Sequence, residues 1–314
     1  MAGGGWGRGW QLIVSTLRIF QRYPLFIIPI IIVWLIYAPI IIYLKYFFPW
    51  NNFGFGVILV TIFLTLFVFS FVLLSSCSIV LELIQQLETG KKLSLGGAFQ
   101  ETVSRGIAKI VPIALVWAII WFILTIIEAL LSKNKEGKEE FNAGNVAKTL
   151  ADYREFSLSR AFLQALEKGI RMIVFLILPA VAWEDLSFTD AIKKGLRVLR
   201  AHLAEFASGY ALTYAAATIV FLPPAIMFEL GTGRHGNPPL IHFPDSVWVC
   251  VIIYIGFAWS FCMYLEQMFT ANLYLWHLKW ERKVELSKKQ GQPLPDFNDI
   301  KQPSLLDNIP DLVV

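Results

Sequence analysis

Apolar residues in this chain fall in long blocks, not at the spacing of a globular helix or in the alternation of a half-buried strand. Six blocks reach the roughly 20 residues that a helix needs to cross a hydrocarbon layer of about 30 Å. They run from Pro24 to Phe48, Phe55 to Leu83, Ile107 to Leu131, Ala161 to Trp183, Glu205 to Leu230 and Val247 to Leu275. The fourth is interrupted by Glu167, Lys168 and Arg171, and the fifth carries a Pro223-Pro224 pair that predicts a bend. The pattern predicts an all-α polytopic membrane protein. Its six-helix transmembrane domain covers residues 1–284, and a flexible polar tail covers 285–314.

Between the blocks the periodicity changes. Short amphipathic segments precede the first, third and fifth spans: Gly9 to Pro24, Ser94 to Val111, and Ser187 to Phe206. In the first, Leu12, Ile13, Thr16, Leu17 and Phe20 lie opposite Gln11, Arg18 and Arg22. In the third, Ile192, Leu196 and Leu199 lie opposite Lys193, Lys194, Arg197 and Arg200. Such helices rest in a membrane interface, apolar face down and basic face toward anionic headgroups. Thr189 and Asp190 are the expected N-caps of the third. The chain then reads as a threefold repeat, each unit an interfacial elbow helix followed by two spans.

Composition excludes a soluble domain. Of 314 residues 56% are hydrophobic and only 16% charged, too few to cover a soluble surface of this size. Lys and Arg set the orientation. One side takes Arg8, Arg18 and Arg22, then Lys91, Lys92, Arg105 and Lys109, then Lys193, Lys194, Arg197 and Arg200. The tail adds Lys279, Arg282, Lys283, Lys288, Lys289 and Lys301 to that side. The opposite side has Lys45, Arg234 and a connection over 132–160 whose basic residues are nearly balanced by Glu136, Glu139, Glu140, Asp152 and Glu155. Both termini are therefore expected in the cytoplasm, with the chain in a bacterial inner membrane and no cleavable leader. The net charge of +4 mostly reflects this asymmetry, which leaves a nucleic-acid partner without support.

The stretch LPAVAWEDLSFTDAIKKGLRVLR, from Leu178 to Arg200, places Pro179 late in a span, then Glu184, a short turn and a basic elbow. Together with WQLIVSTLRIFQRYPLFIIP, from Trp10 to Pro29, it resembles a family of poorly characterised bacterial and archaeal six-helix membrane proteins. These are related to the membrane domain fused to some glycerophosphodiester phosphodiesterases. The resemblance spans most of residues 10–280 and concerns architecture. It implies the six-helix fold; the sequence contains no phosphodiesterase domain, so that activity does not transfer.

Ionisable groups inside a span cost roughly 2.5–3.5 kcal/mol each at a helix centre, so each needs a partner or a purpose. Gln164, Glu167, Lys168 and Arg171 fall on one helical stripe, with Glu128 of the third span as a cross-helix partner. That stripe reads either as a polar pocket in the outer leaflet or as a helix end from which Lys168 and Arg171 snorkel to water. Glu266 lies in a stretch, Ser246 to Trp280, too long for one upright span. With Glu82 and Glu184 it suggests a carboxylate ring suited to cations or protons; otherwise Glu82 and Glu184 are interfacial and Glu266 alone is buried.

No phosphate loop, HExxH or GxSxG occurs, so no catalytic residue, cofactor or metal is expected. His202, His235, His242 and His277 read as scattered over both faces, and Cys77, Cys250 and Cys262 as small hydrophobes within spans. At the end of the tail, Leu312, Val313 and Val314 with a free carboxylate suit capture in a PDZ-type groove, unless the tail is simply disordered. The function these features favour is a non-enzymatic component that assembles with other membrane proteins or with itself. The alternative is a transporter or channel for a small solute or lipid using the charges of spans four and six.

Overall fold

The computed structural model describes residues 5–133, 158–232, 240–295, 297 and 300. These are helical nearly throughout, with no strand among them. The helices are α1 (Gly5–Arg22), α2 (Ile28–Tyr46), α3 (Phe55–Glu88), α4 (Leu95–Glu101) and α5 (Ile107–Lys133). They continue as α6 (Leu158–Ala182), α7 (Phe188–Ala201), α8 (Leu203–Thr232) and α9 (Asp245–Gln290). In hydrocarbon every backbone N–H and C=O must be paired within the chain, and runs of Ile, Leu, Val and Phe do this only as helix.

Among the described residues, five stretches are long and apolar enough to cross a membrane: Pro24–Leu44, Phe55–Glu88, Leu95–Glu128, Leu203–Thr232 and Asp245–Gln290. Only 11–33% of their most apolar windows is buried in the protein. Ile32, Leu35, Leu64, Ile123, Ile219 and Ile253 point outward, a hydrocarbon surface that water does not tolerate at this extent. The chain is a multi-pass membrane protein. The stretch expected as the fourth span is helical as α6, yet it is not among the five, because Glu167, Lys168 and Arg171 cluster at its middle.

The first and third elbow segments are separate helices, α1 and α7, whereas the second is not. Residues 95–133 run on without a break because a π-turn over Thr102–Gly106 joins α4 to α5, with Ile107 N–H bonded to Thr102 O. The start of α7 also differs from the expected Thr189 or Asp190. Ser187 is the N-cap: its Oγ accepts the Asp190 N–H (3.4 Å) and donates to the Asp190 carboxylate (2.7 Å), which satisfies one free N–H of the first turn. α8 does not end at its proline pair but continues as helix to Thr232. Pro224 supplies no N–H to the carbonyl four residues back, and Tyr254 of α9 replaces it by donating to Val220 O (2.9 Å).

The helices group into two compact units that do not coincide with three elbow-plus-hairpin repeats. One contains residues 1–34, 83–93 and 197–314; the other contains 35–82 and 94–196. In the second unit α5 packs on α6, and a relay of aromatic edges ties four helices together. Tyr37 meets Phe69 (4.6 Å), Phe69 meets Trp121 (5.4 Å), and Trp117 meets Phe175 (6.4 Å). Lys109 at the start of α5 pairs with Asp185 just past α6, so the two helices are antiparallel.

In the first unit α1 lies against both α8 and α9. Small residues set the close approaches: Gly9 faces Ser208, Gly209 faces the Phe269 ring, and Gly256 faces the Trp34 indole. Leu12, Ile13, Thr16 and Ile19 are buried there. The face of α1 expected to rest in lipid is thus covered by protein. At 46 residues α9 is one helix about 69 Å long. All its residues from Cys262 to His277 are buried.

Candidate functional site

The polar residues singled out in the sequence divide between the units. In the second, Lys168 is buried, Glu167 and Arg171 are half-buried, and Gln164 is exposed. Arg171 and Glu167 form an i,i+4 ion pair at 3.8 Å. Glu128 is half-buried on α5, the helix that packs along α6. Glu184 is held by Lys194 of α7 at 3.5 Å, as an interfacial carboxylate would be. Glu266 belongs to the first unit, on the buried part of α9. Leu312, Val313 and Val314 lie outside the described residues, as does His235.

Around Glu266 the centre of α9 is unusually polar for so enclosed a helix. Gln267, Thr270 and Asn272 are fully buried. Thr270 turns its hydroxyl back onto the Glu266 and Gln267 carbonyls (3.1 and 2.9 Å). Asn272 Nδ2 donates to Thr16 Oγ1 of α1 (3.3 Å), and Tyr264 OH donates to Thr16 O (3.3 Å). Both amide atoms of Gln267 lack a hydrogen-bond partner among the described residues. Buried groups in that condition cost roughly 1–3 kcal/mol.

One helical turn and a half further on, α9 brings together residues the sequence left apart. His202 is the single residue between α7 and α8, and its Nε2 lies 2.8 Å from Nδ1 of His277. His277 Nε2 reaches Glu281 Oε1 at 3.1 Å. An ionised carboxylate only accepts, so His277 Nε2–H donates to Glu281; with His277 neutral, its Nδ1 then accepts from His202 Nε2–H. The remaining lone pair is on Nδ1 of His202. Arg8 of α1 pairs with Glu205 of α8 at 2.6 Å and sits 6.0 Å above the Trp276 ring. Burial, with His277 and the Arg8 guanidinium beside it, pushes the His202 imidazole down to about 3.

Aromatic rings close this cluster. Gly291 takes a left-handed φ of 63° and Gln292 N–H bonds back to Ser287 O (2.9 Å), ending α9 and reversing the chain. The returning segment is gripped by its backbone: Trp276 Nε1–H donates to Ile300 O (3.1 Å), and Trp280 Nε1–H donates to Pro295 O (3.2 Å). Phe297 sits over His202 (4.0 Å) and Trp276 (4.2 Å). The signal in the sequence was Trp276-His277 followed one turn later by Trp280-Glu281. That spacing places two indoles and a His–Glu pair on adjacent lines of one helix.

No protein-family model, curated protein or solved structure matches the chain. Among the described residues, no three His, Cys, Asp or Glu side chains converge as metal ligands.

Proposed function

We propose that this chain is a non-enzymatic six-span protein of a bacterial inner membrane, with both termini cytoplasmic, that assembles with other membrane proteins. The observation that carries the reading is the cleft of His202, Trp276 and Trp280. It holds the proline-containing chain after α9 by indole N–H bonds to the Pro295 and Ile300 carbonyls and by ring contact with the Phe297 side chain. This is the chemistry of proline-rich peptide recognition. Parity supports the sixth span. Because Lys109 meets Asp185, α6 returns the full length of α5, about 37 Å for its 25 residues. Arg8 beside Trp276 likewise supports an even number of crossings between them. The likeness to the six-helix membrane domains of phosphodiesterase relatives fits this plan, with anionic lipid headgroups at the exposed basic face of α7.

Purification from native membranes in a gentle detergent tests the reading. A stoichiometric complex with another membrane protein or with itself, lost on Trp280→Ala, is the expected result. A lone chain that conducts a solute after reconstitution would overturn it. That outcome belongs to the alternative, a transporter or channel, which Glu266 and the Gln267 amide, without a hydrogen-bond partner among the described residues, favour. Flux abolished by Glu266→Gln would establish it.

A further inference from the structure

We propose that α1 stands upright beside α8 and α9, and that Arg18 and Arg22 near its end bind the phosphate of an anionic phospholipid at the membrane boundary. The register of the helices carries the first half. Arg8 lies over Trp276 (6.0 Å), Thr16 accepts from Asn272 and Tyr264 (both 3.3 Å), and Phe20 meets Tyr264 and Phe261 (5.6 and 5.2 Å). From Arg8 to Phe20 is about 18 Å of helix, and from Trp276 back to Phe261 about 22 Å. The two helices therefore run side by side in opposite directions. A helix resting flat on the bilayer would cross α9 at one level only.

α8 and α9 give the level of the boundary independently. About 20 residues cross the hydrocarbon; counted along α9 from Asp245 they end near Leu265, and counted back along α8 from Thr232 they end near Leu212. These ends are level, because Gly209 faces the Phe269 ring and Tyr254 bonds to Val220 O. The run of exposed apolar residues Val249, Ile252, Ile253 and Phe257 lies on the hydrocarbon side of that level. On α1 the boundary falls between Thr16 and Phe20, the two residues that touch Tyr264. Arg18 sits there, and Arg22 follows one turn later, just before the apolar stretch that begins at Pro24. Both are exposed on one face, and Arg22 stacks over the Tyr23 ring (5.7 Å). α1 contains no Asp or Glu, and neither guanidinium has a carboxylate partner among the described residues. Each can grip a phosphodiester through paired N–H groups. A zwitterionic headgroup brings an ammonium of its own, so the fit is to a phospholipid of net negative charge. Further out, Trp6 and Trp10 are exposed to water, since Trp276, level with Arg8, stands about 16 Å beyond Leu265.

The test is native mass spectrometry of the full-length chain released from nanodiscs of dioleoyl phosphatidylglycerol and dioleoyl phosphatidylcholine in equal amounts. The native chain should retain phosphatidylglycerol in preference, and Arg18→Gln/Arg22→Gln should carry one fewer, whatever α7 holds. Lys283→Gln/Lys288→Gln, which removes the same charge further along α9, should carry the native number. Equal retention of the two lipids by the native chain overturns the proposal. So does a native count in Arg18→Gln/Arg22→Gln, or an equal loss in the lysine variant. A nitroxide at Trp10→Cys tests the upright placement separately. It should meet a water-soluble nickel chelate more readily than oxygen, which concentrates in hydrocarbon, and the reverse overturns that placement. Should the double arginine variant not fold, Arg18→Gln alone and the nitroxide decide. That the leaflet is the cytoplasmic one rests on the proposed orientation. If Trp6→Cys labels from outside intact cells, the orientation fails and the lipid site stands.

Discussion

Tyr254 illustrates how a single side chain permits a sequence that its helix alone would reject. Without its phenol, Val220 O faces Pro224 with no donor. Tyr254→Phe should lower stability by about 1 kcal/mol in reversible unfolding in bicelles. In a Pro224→Ala background the same substitution should cost little, because the alanine N–H takes over. Gly209 offers a second test at this scale. A methyl group there meets the Phe269 ring, so Gly209→Ala should cost about 1–3 kcal/mol, and trimming the ring in Phe269→Leu should recover part of it. Neither relation was legible in the sequence. Pro223-Pro224 announced a weak point, but the residue that repairs it lies 34 positions away, and a glycine does not name the ring it accommodates.

At the scale of elements, hydrophobic blocks located the apolar helices well, since lipid exposure leaves little choice of residue and no choice of secondary structure. Amphipathic stretches were harder to place. An apolar face looks the same whether lipid or protein will cover it, so α1 read as an interfacial elbow although α8 and α9 cover it. The Arg8–Glu205 pair is part of that docking, with Glu205 nearly buried. Arg8→Leu strands the carboxylate and should cost about 3 kcal/mol. Adding Glu205→Leu should restore most of the loss, as read by thermal unfolding of both variants in one detergent. The charges of α6 posed the same ambiguity. Their cluster removes the helix from the plainly apolar set, so the argument that it crosses rests on the return from Lys133 to Asp185 and on Arg8 lying beside Trp276.

For the whole molecule, topology and acidity give the sharpest expectations. A cysteine at Trp6, which is exposed on α1, and one at Leu294 should label from the same side of a sealed vesicle. A cysteine in the connection after Lys133 should label from the other. The folded His202 sits at about 3, below the roughly 6.5 of a free imidazole, so on acidification the unfolded chain takes up that proton first. The stability it carries is whole above about pH 6.5 and declines toward about 3. Thermal midpoints should accordingly fall from pH 7.5 to 5, and fall less in His202→Gln. The polar cluster behind this behaviour was invisible beforehand because its members are distant in sequence. His202 and His277 are 75 residues apart, and Thr16 and Asn272 are 256 apart.

That distance sets a timetable. The docking face of α1 leaves the ribosome long before α8 and α9 exist, and at about 5–20 residues per second the interval is roughly 10–40 s. Throughout that period Leu12, Ile13 and Ile19 need somewhere apolar to rest, and the membrane surface is what a basic amphipathic helix finds first. The bilayer thus serves α1 as a chaperone, holding it until its own chain arrives to displace the lipid. A chain stopped after Ala201 should keep α1 bound to vesicles, and a complete one should surrender it to the protein.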